Sequence, residues 1–250
     1  MKVGCMKRYV VAFLAVLALA PSSWGGDSGR VARDAAILKS AGLSDKVLKI
    51  EKSPIPGFDA ITLHGGRVMY VSRDGQQLIE GRLITQSPQG AIDATAPMEM
   101  RARVEILEAL PPSHYISYRP KGELRSYITV FTDTGCPFCQ LFHKEVPALL
   151  AAGVGVRYLP YPRGGDKSED FEHLTGVWCA KDRQDALEKG LRGRKVPRLD
   201  CPASAVVRQG FELGRDMGVK GTPTIVMADG SIVTGTRDAA TLIKALGLSK

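Results

Sequence analysis

Two cysteines separated by two residues, Cys136-Pro137-Phe138-Cys139, constrain this chain more than any other feature. They stand directly after a β-branched and aromatic run, Tyr127 to Phe131, and open a segment of helical composition, 136–151. A helix start carries unpaired N–H groups and a partial positive charge. A thiolate placed there is stabilised, so the spacing predicts a lowered pKa and a reactive Cys136. Pro137 falls at the first helical position, where its missing N–H costs nothing. Cys139 lies one turn deeper, close enough to close a short disulfide, so that Cys136 attacks a substrate disulfide and Cys139 resolves the mixed disulfide. Two other readings stand beside this one. A purely structural bridge across so short a loop constrains the unfolded chain little. A zinc site needs a second ligand pair, and Cys179 and Cys201 are too far apart to form another CxxC. His143 reads as a helix residue rather than a ligand, and Pro147 is expected to kink the helix.

The pattern around the motif is that of an α/β domain. A second strand is predicted over Gly155 to Leu159, and strand–helix–strand implies a parallel pair. Residues 169–217 are mostly helical in composition. Thr224 to Met227 and Ser231 to Thr234 flank an Asp229-Gly230 hairpin signal, and 238–248 closes the domain as a helix. Asp133 reads as a turn or capping residue. Thr222-Pro223 sits just before a strand, which is ordinary for a proline. Cys179 and Cys201 bracket a charged segment and read as a structural disulfide closing a helical insertion, with a second redox pair as the alternative.

The chain begins with Lys2, Lys7 and Arg8, then a 12-residue apolar run from Tyr9 to Ala20, then small and polar residues. This is the layout of a cleavable export signal over residues 1–25, cut near Gly25 or Gly26. A run of this length is short for a bilayer span, and no stretch of about 18 apolar residues exists elsewhere. Cleavage takes the basic count from 34 to 31 against 26 acidic residues, and the net charge from +8 to +5. It also removes Cys5, leaving Cys136, Cys139, Cys179 and Cys201, an even set that suits an oxidising compartment. No basic run exceeds two residues, which argues against a nucleic-acid partner.

Residues 27–92 form a separate unit by composition. A helix over Val31 to Ala41 stops at Gly42, and extended segments follow at Lys46–Glu51, Ala60–Leu63, Val68–Ser72 and Gln77–Ile84. One helix on a small antiparallel sheet is the simplest packing. A unit this small is marginal alone. Either it pairs an edge strand with a second copy or it leans on its neighbour. Residues 87–95 read as linker, and Pro97 to Leu110 carries an apolar stripe at 98, 102, 106 and 109–110, so 93–112 is expected as a linker helix. The catalytic unit then spans 113–250.

These motifs together resemble the DsbC/DsbG family of periplasmic protein-disulfide isomerases. The resemblance rests on Val68-Met-Tyr-Val-Ser-Arg-Asp-Gly75, on Val130-Phe-Thr-Asp133 leading into the CPFC motif, and on Tyr158-Leu-Pro-Tyr-Pro-Arg163. It extends to Val177-Trp-Cys-Ala-Lys-Asp182 and Gly218-Val-Lys-Gly-Thr-Pro223. It implies a cystatin-like α+β dimerisation domain and a thioredoxin-like α/β catalytic domain with a helical insertion. It further implies a cis Pro223 beside Cys136 and Cys139, with Thr222 offering backbone hydrogen bonds to substrate, and a Cys179–Cys201 disulfide. The implied partners are misfolded exported proteins, an inner-membrane reductase of the DsbD type and a second copy of the chain, facing it across an apolar cleft. No cofactor or metal is implied. The Pro137-Phe138 dipeptide differs from the Gly-Tyr frequent in DsbC-like members, and proline there is frequent in DsbG-like ones, whereas Cys179-Ala-Lys-Asp182 favours DsbC. The expected activity is isomerisation or reduction of wrong disulfides. A DsbG-like reductase or chaperone, and a disulfide-introducing oxidase, are the other readings.

Overall fold

A computed structural model describes residues 34–43, 46–194, 196–197, 199 and 201–249. The export signal expected over 1–25, and the 31–33 start of the first expected helix, lie outside the described residues.

Helix α1 (34–40) ends where Gly42 takes a left-handed φ of 69°, letting the Leu43 N–H return to the Leu38 carbonyl. An antiparallel meander follows, β1 (Val47–Lys52), β2 (Phe58–Leu63), β3 (Val68–Ser72) and β4 (Leu78–Glu80), paired in that order. The two central strands are buried on both faces, and the period of two divides their side chains. Ile61, Leu63, Met69 and Val71 pack with Leu38 of α1. Ala60, Val68 and Tyr70 face Met98 of α2 (Ala96–Ala109) instead. The sheet therefore carries a helix on each side, where the sequence suggested one.

The segment Gln77–Ile84 is not one strand. Pairing stops at Glu80 before Gly81, and Ile84–Ser87 (β5) turns back on Gly90–Asp93 (β6) as a separate hairpin in the region read as linker. Polar bonds tie this hairpin to the start of α2. Asp93 Oδ1 accepts from the Thr95 and Ala96 N–H groups, and Thr95 Oγ1 accepts from Leu83 N–H and bonds Tyr70 Oη at 2.6 Å. Helix α2 is packed against both units rather than standing free. Beyond Met98, it sends Leu107 into the second unit's core, and the buried Arg103 donates from Nε to the Gly230 carbonyl at 2.7 Å.

The second unit is a five-stranded sheet in the order β11-β10-β8-β9-β7. Its strands are β7 (Ile116–Tyr118), β8 (Ser126–Thr132), β9 (Val154–Pro160), β10 (Thr224–Val226) and β11 (Ile232–Thr234). Only β8 and β9 run parallel. Between them the chain forms α3 (Pro137–His143) and α4 (Val146–Ala151), broken at Lys144–Glu145 because Pro147 cannot continue α3. Helices α5 (Glu169–Cys179), α6 (Arg183–Leu191) and α7 (Ser204–Asp216) precede β10, and α8 (Ala239–Ala245) closes the fold. The three-residue edge strand β7 was not foreseen, being too short to show a period. Ile128 and Val130 of β8 pack with Phe142, Leu149, Leu174 and Trp178, while Phe131 points the other way toward Tyr161 and Leu107. A parallel pair covered on both faces explains the near-continuous apolar run.

Helix α7 approaches β9 through Gly210 and Gly214, one turn apart. A methyl on Gly210 would lie 2.6 Å from the Pro160 carbonyl oxygen. Gly210→Ala gains at most about 1 kcal/mol of helix propensity, against about 1–3 kcal/mol for overpacking. The expected outcome is a net loss of stability, read as a lower urea midpoint at unchanged slope.

Candidate active site

The end of β8 sets the site. After Thr132 the chain turns through Asp133, Thr134 and Gly135, and Cys136 takes an extended conformation (φ −88°, ψ 117°) as the residue before α3, with Pro137 inside the first turn. The turn is held by the fully buried Asp133 carboxylate. Its Oδ1 accepts the Gly135 N–H at 2.8 Å, and its Oδ2 accepts both the backbone N–H (3.1 Å) and Nε (3.0 Å) of Arg163. Arg163 stands three residues beyond β9, and the Tyr161 N–H donates to the Thr132 carbonyl at 2.8 Å. The loops leaving both parallel strands are thus fastened together beneath the cysteines. A buried carboxylate survives because every donor around it is used.

The third element comes from far along the chain. Thr224 pairs with Phe131 and Ile225 with Val130 across the antiparallel β10–β8 ladder. Continuing that register brings Thr222 and Pro223, joined by a cis peptide bond, to the end of β8. The Cys136 thiol reaches the Thr222 carbonyl at 3.1 Å across 86 positions of sequence. Cys136, Cys139, Thr222 and Pro223 therefore form one cluster. Cys179 and Cys201 do not join it; they are bonded to each other (S–S 2.04 Å), linking the end of α5 to the segment before α7.

The two thiols, both unbridged, are unequal. The Cys136 pKa is brought down to about 5, first by the hydrogen bond from Cys139, against the opposing effect of burial, then by the Thr222 side chain and the N–H groups of Cys139 and Phe138. The Cys139 thiol is pushed far above its usual range, first by burial and then by the bond it gives Cys136. The arrangement suits one sulfur to be a thiolate at neutral pH and the other to keep its proton and support it. Two large apolar side chains stand beside them, Phe138 at 57% and Leu141 at 48% exposure on α3.

His143 is inward and half-buried. Its Nδ1 meets Tyr158 Oη at 2.9 Å, and its ring packs edge-on to Tyr118. Burial lowers its pKa, so it serves packing as a neutral ring. Among the described residues no group of three or more His, Cys, Asp or Glu is arranged to hold a metal ion. Sequence reasoning assigned no task to Thr132 or Arg163. Neither sits in a spacing pattern that marks it, since each reaches the site through a strand end.

The unequal pKa values have a pH signature. The folded Cys136 pKa lies below the ordinary thiol value of 9.0. In that interval the unfolded chain binds a proton that the folded chain does not, so reduced protein should gain stability as pH rises from about 5 toward 9 and lose it as pH falls through 5. Iodoacetamide alkylation of Cys136 should follow the same titration. A rate half-maximal near pH 5 and flat above neutrality is expected; half-maximal reaction near pH 8–9 would contradict the site as described.

Comparison with known proteins adds relatives to this geometry. A family model described as the disulfide bond isomerase protein N-terminal domain matches residues 32–96, and a thioredoxin-like domain model matches 114–249. The thiol:disulfide interchange protein DsbC of Salmonella typhimurium is 34% identical over 205 residues, 82% of this chain and 83% of that protein. The protein of the same name from Haemophilus influenzae is 32% identical over 96% of this chain and 98% of its own length. That from Escherichia coli K12 is 32% identical over 82% and 83%. Both units and most of the length of each relative are matched, and the chain belongs to the DsbC family of thiol:disulfide interchange proteins.

Proposed function

We propose that Cys136 and Cys139, kept reduced, rearrange or reduce incorrect disulfides in exported proteins. The observation that carries this reading is the unequal thiol pair beside Thr222. The Cys136 thiolate attacks one sulfur of a substrate disulfide; a mixed disulfide forms and the other substrate sulfur leaves as a thiolate. That thiolate then attacks a different disulfide of the substrate, and the thiolate released by this exchange attacks the mixed disulfide and displaces Cys136 as a thiolate, which completes isomerisation without net electron transfer. Alternatively Cys139 attacks Cys136, the substrate leaves reduced by two electrons, and the Cys136–Cys139 pair is oxidised. The second outcome requires an external dithiol donor, a role suited to an inner-membrane reductase of the DsbD type. Thr222 and Pro223 border the attacking sulfur and supply the edge against which an extended substrate segment lies. Phe138 and Leu141 offer apolar contact to unfolded chain.

The first unit is assigned to pairing two copies. Leu48, Ile79, Ile84 and Ile92 are large apolar side chains left exposed on β1, β4, β5 and β6, and β1 and β4 are sheet edges. A periplasmic location is supported by the oxidising compartment that suits a Cys179–Cys201 bridge.

Refolding of a scrambled multi-disulfide protein tests the chemistry. Cys136→Ala should abolish it, whereas Cys139→Ala should accumulate mixed disulfides with substrate. Full activity of Cys136→Ala would refute the mechanism. The exposed apolar residues favour a second, separable activity, and aggregation suppression retained by Cys136→Ala would identify binding independent of redox state. Sedimentation of the mature protein should give a dimer; a monomer would remove the pairing role of the first unit.

A further inference from the structure

Thr132 is completely buried at the last position of β8, and its hydroxyl makes no well-formed hydrogen bond. An orphaned buried hydroxyl is costly, which asks what it is held for. Strand alternation puts Thr132 on the face of Ile128 and Val130, where Cys139 also packs. The Thr132 side chain and the Asp133 backbone N–H are the groups that work against the effect of burial at the Cys139 sulfur.

Cys139 has two demands placed on it. In the resting reduced pair it holds its proton and donates to the Cys136 thiolate. Once Cys136 is bonded to substrate, that anion is gone, and Cys139 must itself become the nucleophile inside an apolar pocket. Burial alone opposes this strongly. The other groups near the sulfur are committed elsewhere. Tyr158 is fully enclosed and bonded to His143, and the Asp133 carboxylate is taken up by Gly135 and Arg163.

We infer that the Thr132 hydroxyl, with the Asp133 N–H, forms a two-donor cradle for the Cys139 thiolate and positions it for the resolving attack. The inference rests on the reading of Cys136 as the first nucleophile and Cys139 as the resolving one. In the step concerned, Cys139 gives its proton to solvent and its thiolate bonds to Cys136 Sγ. The bond from Cys136 to the substrate sulfur breaks, and the substrate departs as a thiolate. Thr132 neither gains nor loses a proton.

Stopped-flow reaction of the reduced protein with 5,5′-dithiobis(2-nitrobenzoate) separates the two steps. Attack by Cys136 releases the first nitrothiobenzoate at a rate proportional to reagent; attack by Cys139 releases the second at a rate independent of it. Thr132→Val, which keeps the shape and removes the hydroxyl, should slow the second phase roughly ten- to a hundredfold, the range one hydrogen bond to a charged group spans. The first phase should stay within about twofold, and Thr132→Ser should restore the second. Should valine disturb folding, seen by circular dichroism, Thr132→Ala is read in the same two phases. An unchanged second phase, an equal slowing of both, or a failure of serine to restore it would overturn the inference. Absence of the first phase in the unsubstituted protein would overturn the functional reading, and this inference with it.

Discussion

The Asp133 carboxylate is the interaction on which the catalytic unit turns. It is sealed from solvent, and it binds the loop that leaves β8 to the loop that leaves β9. A parallel pair has no tight turn of its own to fix its two C-terminal ends, because each strand runs on into a separate segment. Here one carboxylate does so with three N–H donors, two of them from Arg163. Burying such a charge costs several kcal/mol unless its lone pairs are filled, so the group stabilises only this arrangement and penalises any in which Arg163 is displaced. The turn it fixes is the one that presents Cys136.

From that fixed point the two sulfurs acquire opposite characters. Both are almost wholly buried, at 2% and 1% exposure, so desolvation raises both. Burial weighs most on Cys139, whereas at Cys136 the donors outweigh it. Cys136 lies before the first turn of α3 and receives N–H groups, the Thr222 side chain and the Cys139 thiol. Cys139 lies within the first turn of α3 and meets the Asp133 N–H and the Thr132 hydroxyl, which do not offset its burial. The helix start thereby makes one thiol acidic while burial leaves the other a proton holder, and the pair works as a unit with its charge kept at Cys136.

Much of this was legible in residue order. The strand before the CPFC motif, the break at Pro147, the hairpin at Asp229-Gly230 and the helix ending before Gly42 all follow from local chemistry, and the structure shows each. The linker expected over 87–95 instead holds the turn and second strand of the 84–93 hairpin, whose strands are exposed and too short to alternate clearly. The stripe on α2 is visible at 98, 102 and 106, but not that it divides between two cores, with Arg103 buried and bonded to the Gly230 carbonyl. Local period cannot say which of two surfaces a helix covers.

By itself, then, the sequence determined the CPFC motif at a helix start, the parallel strand pair around it, the helical insertion and the kinship of the two units. These depend on spacing within about ten residues, where helix caps, turns and strand periods operate. Tertiary structure alone decided that Thr222 faces Cys136 across the sheet, that Arg163 reaches the buried Asp133 carboxylate, and that Thr132 is buried on the face of β8 against which Cys139 packs. Each of those contacts joins residues through strand register or helix entry, and register is fixed only when the whole sheet has chosen which side chains to bury.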